Sequence, residues 1–252
     1  MKLRSTLLTA IGMAMFFSCS NGDENPNDNQ INLSESSIEI DVDQNFKLET
    51  SFNREGYSTN EFKWESDSSI VASVSGDGTV TGKIKGETTI RVTTNDGQFS
   101  GECQVKVNPI NFLYVEPLFA FGEGMEYFKS NENRTLGNQS DDGLVFNDSN
   151  VDVEMVMYLF ENAKMYGGAV ILKSTESVAE RTIDFLRQRY IPVGNENDVY
   201  YFADNDVIAG VTVDSQLGLT VMYLELSESE SGRIDIKAAI NEGFEKLRAK
   251  DL

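Results

Sequence analysis

From residue 31 to residue 107 apolar positions come in short runs that alternate with polar ones, a period of two that gives a strand one buried and one wet face. Ile38, Ile40 and Val42 alternate with Glu39 and Asp41, and Ile90 and Val92 with Arg91 and Thr93. The pattern predicts strands at Ser37–Val42, Phe46–Thr50, Phe62–Ser66, Val71–Ser75, Thr79–Gly82, Thr88–Thr93 and Glu102–Val107. Gly76-Asp77-Gly78 and Asn95-Asp96-Gly97 supply the positive φ angles that tight hairpins need. Short strands at this spacing hide their apolar faces best by packing two sheets together, so the region is expected to be an all-β sandwich.

The pattern stops at Val107-Asn108-Pro109 and resumes with longer runs. Phe112–Phe121 predicts a buried strand, broken by Pro117 and closed by Gly122-Glu123-Gly124, and Met125, Tyr127 and Phe128 predict a short helix. Strands follow at Leu144–Phe146, Val151–Phe160 and Gly168–Leu172. A second helix starts at Ser174-Thr175-Glu176-Ser177, which resembles a capping box, and runs through Val178, Ile183, Phe185, Leu186 and Tyr190. Strands at Val199–Phe202, Ile208–Val213 and Leu219–Leu226 come next, and a helix from Ile234 to Arg248 places Ile236, Ala239, Ile240, Phe244 and Leu247 on one face.

Laid side by side, the two halves of this region match at an offset of 56 to 58 residues: Met125-Glu126-Tyr127-Phe128 with Ile183-Asp184-Phe185-Leu186, Leu136-Gly137-Asn138 with Val193-Gly194-Asn195, and Leu144-Val145-Phe146-Asn147-Asp148 with Tyr200-Tyr201-Phe202-Ala203-Asp204. Convergence of two amphipathic patterns would give a weaker version of the same match. The expected fold is therefore an all-β sandwich over 31–108, followed over 109–252 by an α+β domain. That domain is expected to be an antiparallel sheet with helices on one face and an internal αβββ repeat, at about 120–173 and 174–227, plus a C-terminal helix at 233–249.

The start of the chain changes where such a protein would work. Lys2 and Arg4 precede an uncharged apolar run, Leu7–Phe17, too short to span a bilayer as a mature helix. Phe16-Phe17-Ser18-Cys19 resembles a lipobox, although Phe16 stands where Leu is usual. The reading is a signal peptide over 1–18, lipidation at Cys19 and a tether over 19–30 with no core-forming residues; an ordinary secretory signal is the alternative. Asp23-Glu24 resembles the surface-export signal of Bacteroidetes-type lipoproteins, and equally suits a soluble spacer. Without Lys2 and Arg4, 19 of the 21 basic residues face 41 acidic ones, a formal charge of −22, which repels nucleic acid and anionic lipid.

Trp64 to Val74, then Gly76-Asp77-Gly78-Thr79-Val80-Thr81-Gly82-Lys83, then Lys85-Gly86-Glu87-Thr88-Thr89-Ile90, resemble the bacterial Ig-like domain of group 2 in order along the first domain. The resemblance implies a sandwich on a bacterial surface protein, similar in architecture to the domains of intimin-type and invasin-type adhesins, and no reaction. In it Trp64 fills the space between the sheets, and Asp67 and Asp77 serve turns. The helix-plus-meander order of the second domain is similar to the β-lactamase-inhibitor protein fold and to small outer-membrane assembly lipoproteins, by analogy of element order alone. In such a sheet Tyr158, Tyr166, Tyr200, Tyr201 and Tyr223 are the candidate binding surface; for each, a half-buried place under a helix is the competing reading.

Candidate chemistry is sparse. The chain has no histidine, which removes Ser-His and Cys-His catalysis and the commonest zinc ligand. With Cys19 lipidated, Cys103 has no intrachain partner, and its alternation with Val105 and Val107 points it into the core. Gly122-x-Gly124 leads to Tyr127 where a dinucleotide fingerprint needs a small residue, so a nucleotide site is rejected. Asp141, Asp142, Asp204 and Asp206 could serve carboxylate chemistry, in contexts where turns already call for Asp. No cofactor or metal is expected. The expected function is a membrane-anchored, cell-surface binding or adhesion module for a protein or glycan; the alternatives are a periplasm-facing scaffold or inhibitor-like protein, and a carboxylate-dependent glycan hydrolase.

Overall fold

The structure is a computed structural model that describes residues 30–52, 54–58, 61–226 and 235–250. The signal peptide, Cys19 and the tether expected at the start lie outside the described residues, as does Ile234.

The N-terminal part is a sandwich of short strands. Its larger sheet joins β2 (Ser37–Asp41), β9 (Ser100–Asn108), β8 (Gly86–Thr93) and β5 (Lys63–Ser66) in that order, with β2 and β9 parallel. Facing it are β3 (Asn45–Lys47), β7 (Thr79–Gly82) and β6 (Ala72–Val74), in the order β3-β7-β6, and β1 (Asn32–Leu33) pairs with β4 (Thr50–Ser51). The alternating residues fill the space between: Ile38, Ile40, Val80, Ile90, Cys103, Val105 and Val107 are all buried in one cluster. Trp64 packs between that cluster and a smaller one around Phe62, Val92 and Phe99. Its indole explains Gly78, where φ is +85° and an added Cβ would stand 2.7 Å from the Trp64 ring. Ser75-x-Asp77-Gly78 and Thr94-x-Asp96-Gly97 are one turn used twice, each with the hydroxyl bonded to the aspartate and the glycine N–H returning to the first carbonyl.

The C-terminal part is one eight-stranded antiparallel sheet. After α1 (Met125–Asn131) come β10 (Thr135–Gln139), β11 (Gly143–Asn147), β12 (Val153–Glu161) and β13 (Lys164–Leu172). After α2 (Glu176–Arg187) come β14 (Ile191–Glu196), β15 (Val199–Ala203), β16 (Val207–Asp214) and β17 (Gly218–Glu225), and the chain continues to α3 (Ile236–Arg248). The order β10-β11-β12-β13-β17-β16-β15-β14 joins two four-stranded meanders through their last strands. Val145 pairs with Met157 as Tyr201 pairs with Gly210, and Met157 pairs with Ala169 as Gly210 pairs with Met222. Across the seam Ala169 pairs with Met222, its own counterpart, so a local two-fold axis passes through that pair. Phe146 and Phe202 keep the expected spacing of 56. In the outer strands the register sets Leu136 against Phe146 and Pro192 against Phe202, one residue away from the sequence match of Leu136 with Val193.

Several expectations change. Each unit has one strand more than the αβββ pattern: β10 and β14 are exposed along their whole length and so show no alternation. Phe112–Phe121 is not a strand; it is irregular chain lying across the sheet, with Leu113, Tyr114 and Pro117 buried and Phe112 and Val115 outward. The N-cap of α2 is Thr175, whose side chain accepts from Val178 N, while Ser174 Oγ instead accepts from Leu219 N at 2.8 Å. Helices are not confined to one face. The α1 and α2 face buries Phe128, Tyr158, Phe185, Phe202 and Tyr223 in one cluster, and α3 covers the other face, where Ile240, Phe244 and Leu247 meet Tyr201, Ile208 and Met222. Gly210 makes that docking possible, since a Cβ there would stand 2.2 Å from Ile240 Cγ2.

Candidate functional site

The five tyrosines do not form one surface. Tyr158 and Tyr223 are fully buried under α1 and α2, and Tyr201 is 1% exposed under α3, so none of the three is a surface residue. Their hydroxyls are used internally. Tyr158 donates to Glu132 Oε2 and accepts from Leu118 N at 2.9 Å. Tyr223 bonds Tyr114 at 2.6 Å, and Tyr201 donates to Asn241 Oδ1 at 3.3 Å. Burial, followed by the Glu132 hydrogen bond, pushes the Tyr158 phenol far above its ordinary range. Tyr200 is exposed.

Tyr166 stands apart. Even-numbered residues of β13 such as Val170 and Leu172 face α1 and α2, yet Tyr166 packs on the α3 side. A β-bulge causes this: Leu159 pairs with Gly167 and Phe160 with Met165, leaving Tyr166 unpaired in the ladder. The hairpin beyond it turns through Asn162 (φ 51°) and Ala163 (φ 62°), both left-handed, a conformation uncommon for alanine. Tyr166 lines a cleft of about 420 Å³ with Asp142, Phe160, Glu161, Asn162, Lys246, Ala249 and Lys250. Lys250 forms a close ion pair with Asp142, and Lys246 lies 3.1 Å from Glu242, 3.6 Å from Glu161 and 5.0 Å from the centre of the Tyr166 ring. The Tyr166 hydroxyl is the buried side-chain polar atom left without a partner among the described residues. Such a group costs about 1–3 kcal/mol until something bonds it. Burial, then Glu161, Asp142 and Glu242, pushes its pKa up to about 12, so it stays a neutral donor and acceptor.

A second cleft lies between the two parts of the chain, lined by Ile70, Val71, Ile84 and Lys85 on one side and Glu116, Arg189, Tyr190 and Asp204 on the other. It borders a joint built on Gln188. The Gln188 carbonyl accepts from Lys85 N at 2.8 Å, and its side-chain oxygen accepts from Ile110 N at 2.8 Å and Asn111 N at 2.9 Å. Asn111 in turn donates to Arg181 O and Asp184 Oδ2 and accepts from Arg189 Nη2. The linker is thereby pinned to the end of α2 and the sandwich to the sheet. Sequence reasoning missed Gln188, Lys246 and Lys250; the two lysines lie four apart, in the last turn of α3 and just beyond its end.

Two of the four candidate carboxylates, Asp142 and Asp204, are engaged in structural contacts. Asp204 Oδ1 accepts from Asp206 N at 2.9 Å and Val207 N at 2.7 Å, closing a turn, and Asp142 pairs with Lys250. Among the described residues no group of three or more His, Cys, Asp or Glu side chains could hold a metal ion, and no helix is long and apolar enough to cross a membrane. The Cys103 thiol is buried and, by burial and then Glu35, pushed up to about 11, which keeps it protonated.

Residues 29–105 match the bacterial Ig-like domain (group 2) family, and the sandwich is such a domain. Among solved structures, an intimin mutant from EHEC O157:H7 is 23% identical over 40% of this chain and 50% of that one, with a TM-score of 0.24; the chain thus spans half the length of that relative. Domains 5–6 of the S-layer protein SbsC are 14% identical over 77% of this chain and 82% of that one, with a TM-score of 0.27. Human protocadherin-24 EC1-2 is 12% identical over 78% and 94%, with a TM-score of 0.26. No curated protein matches the sequence.

Proposed function

We propose that the protein is a non-catalytic binding module of the bacterial cell surface, anchored through lipidated Cys19, in which the Ig-like domain is a stiff spacer presenting the C-terminal sheet to a protein or glycan. The observation that carries this is the Gln188 joint. Backbone N–H groups of Lys85 in the sandwich and of Ile110 and Asn111 in the linker converge on Gln188, the C-cap of α2, which ties all three to the sheet. A spacer that holds its load at a fixed angle lowers the entropy cost of capturing a second surface. The family of the first domain and the absence of histidine support a binding role over a catalytic one.

The test has two readouts in the native host. Labelled palmitate should enter the wild-type chain and not Cys19→Ser, and protease added to intact cells should digest the C-terminal sheet. Protection from protease would move the protein to the periplasmic face. A wild-type chain recovered wholly in the aqueous phase with a free Cys19 thiol would end the anchored reading.

A further inference from the structure

We infer that the cleft around Tyr166 binds a neutral, hydroxyl-rich ring, a sugar unit of a glycan; this rests on the reading of the C-terminal sheet as the binding part. Three independent features meet there. The β-bulge turns Tyr166 away from the side its strand would give it, bulges being a recurrent means of re-aiming a side chain next to a site. The left-handed Asn162-Ala163 turn brings Asn162 and Glu161 to the rim. The Tyr166 hydroxyl is buried at the cleft and leaves both a donor and an acceptor unused among the described residues.

The charges select the ligand class. Asp142 is matched by Lys250, and Lys246 is shared by Glu161 and Glu242, so each charge at the cleft already has a partner. An anion entering the cleft would have to displace a carboxylate from its lysine, and a cation a lysine from its carboxylate. Hydroxyl groups need displace neither, because each paired carboxylate keeps free lone pairs and each ammonium free N–H groups. The volume of about 420 Å³ falls within the range of small-molecule sites, roughly 300–1,000 Å³. Lys246, whose side chain is 36% exposed, lies over the tyrosine ring, and the ring is reached by turning that side chain aside.

Saturation-transfer NMR of the purified chain with N-acetylglucosamine, its β-1,4-linked dimer, cellobiose and maltose tests this, with glucosamine and glucuronate as charged controls. At least one neutral sugar should receive saturation, and Tyr166→Phe should weaken it by about five- to tenfold, the loss of one hydrogen bond. Tyr166→Phe should leave the melting temperature unchanged or raised, since it removes an unbonded buried hydroxyl. Lack of binding by all four neutral sugars, preference for either charged control, or unchanged affinity in Tyr166→Phe would each overturn the inference. Capture of a protein ligand by the same chain alongside that failure would leave the binding-module reading standing without the sugar site.

Discussion

The two units of the C-terminal sheet share a backbone plan and differ in what they bury at the turn after the helix. At the spacing of 56 that relates Phe146 to Phe202, Glu132 corresponds to Gln188, Arg134 to Tyr190 and Asp148 to Asp204. The first unit fills the place with charge: Arg134 lies 3.0 Å from Glu132 and 2.6 Å from Asp148, with 8%, 4% and 12% of the three side chains exposed. The second unit puts an amide and a phenol at the first two positions, Gln188 bonding the linker backbone and Tyr190 donating to Glu116, which pairs with Arg189. The difference teaches how one backbone plan can carry two different sets of turn contacts. One copy builds its turn on an ion cluster that also bonds Val115 O, and the other uses an amide and a phenol, the amide bonding the linker beside the sandwich.

The sharpest break is expected at Arg134→Met. It leaves Glu132 and Asp148 buried without their cation, and denaturant unfolding should show a loss of about 3–5 kcal/mol. The corresponding Tyr190→Phe should cost about 1 kcal/mol, because Arg189 still lies 3.6 Å from Glu116. Equal losses would dissolve the contrast between the units. Gln188→Ala comes next, at about 2 kcal/mol, since it strips Ile110 N and Asn111 N of their acceptor. Its signature should be faster proteolytic cleavage near residues 108–112, which no substitution at Glu132 should reproduce. Thr175→Ala should cost about 1 kcal/mol through the lost cap of α2, a loss with no equivalent in α1, whose N-cap Gly124 makes no side-chain bond.

Acid should produce the smallest effect. Burial raises the Asp148 carboxyl, but hydrogen bonds from Arg134 and from the Asn150 N–H outweigh it and hold the group below its ordinary value. A depressed folded-state pKa stabilises fully above the unfolded value of about 3.9 and is lost as pH falls through the folded one. Wild type should therefore lose stability below about pH 4 more steeply than Asp148→Asn, measured by thermal melts across that range.

The sandwich was legible because its strands have one wet face, and that face writes a period of two into residues such as Ile38–Val42 and Ile90–Thr93. The sheet was legible only in its inner strands. Thr135–Gln139 and Ile191–Glu196 are exposed on both sides and carry no period at all. Phe112–Phe121 misleads in the opposite sense: it is apolar enough for a strand, but its shape is set by side chains at a distance, with Asn111 held by α2 and Asn150 bonding Leu113 O. Nothing in the amphipathic pattern of α3 says which face of the sheet it will cover. Tyr158, Tyr201 and Tyr223 turned out buried for a related reason. A tyrosine in a strand buried on both faces has no outward side, and only the bulge, a backbone irregularity invisible in composition, singles out Tyr166.

The pairing of Ala169 with its own counterpart Met222 shows how the two units satisfy each other. A lone helix-plus-meander unit would expose β13 as an unsatisfied edge, and the economical remedy is a second identical subunit laid against it antiparallel, an isologous homodimer. Joining the two subunits into one polypeptide retains that dimer interface as an internal seam. In a single chain the two sides of that seam need not be identical, so Gln188 can stand in one unit where Glu132 stands in the other.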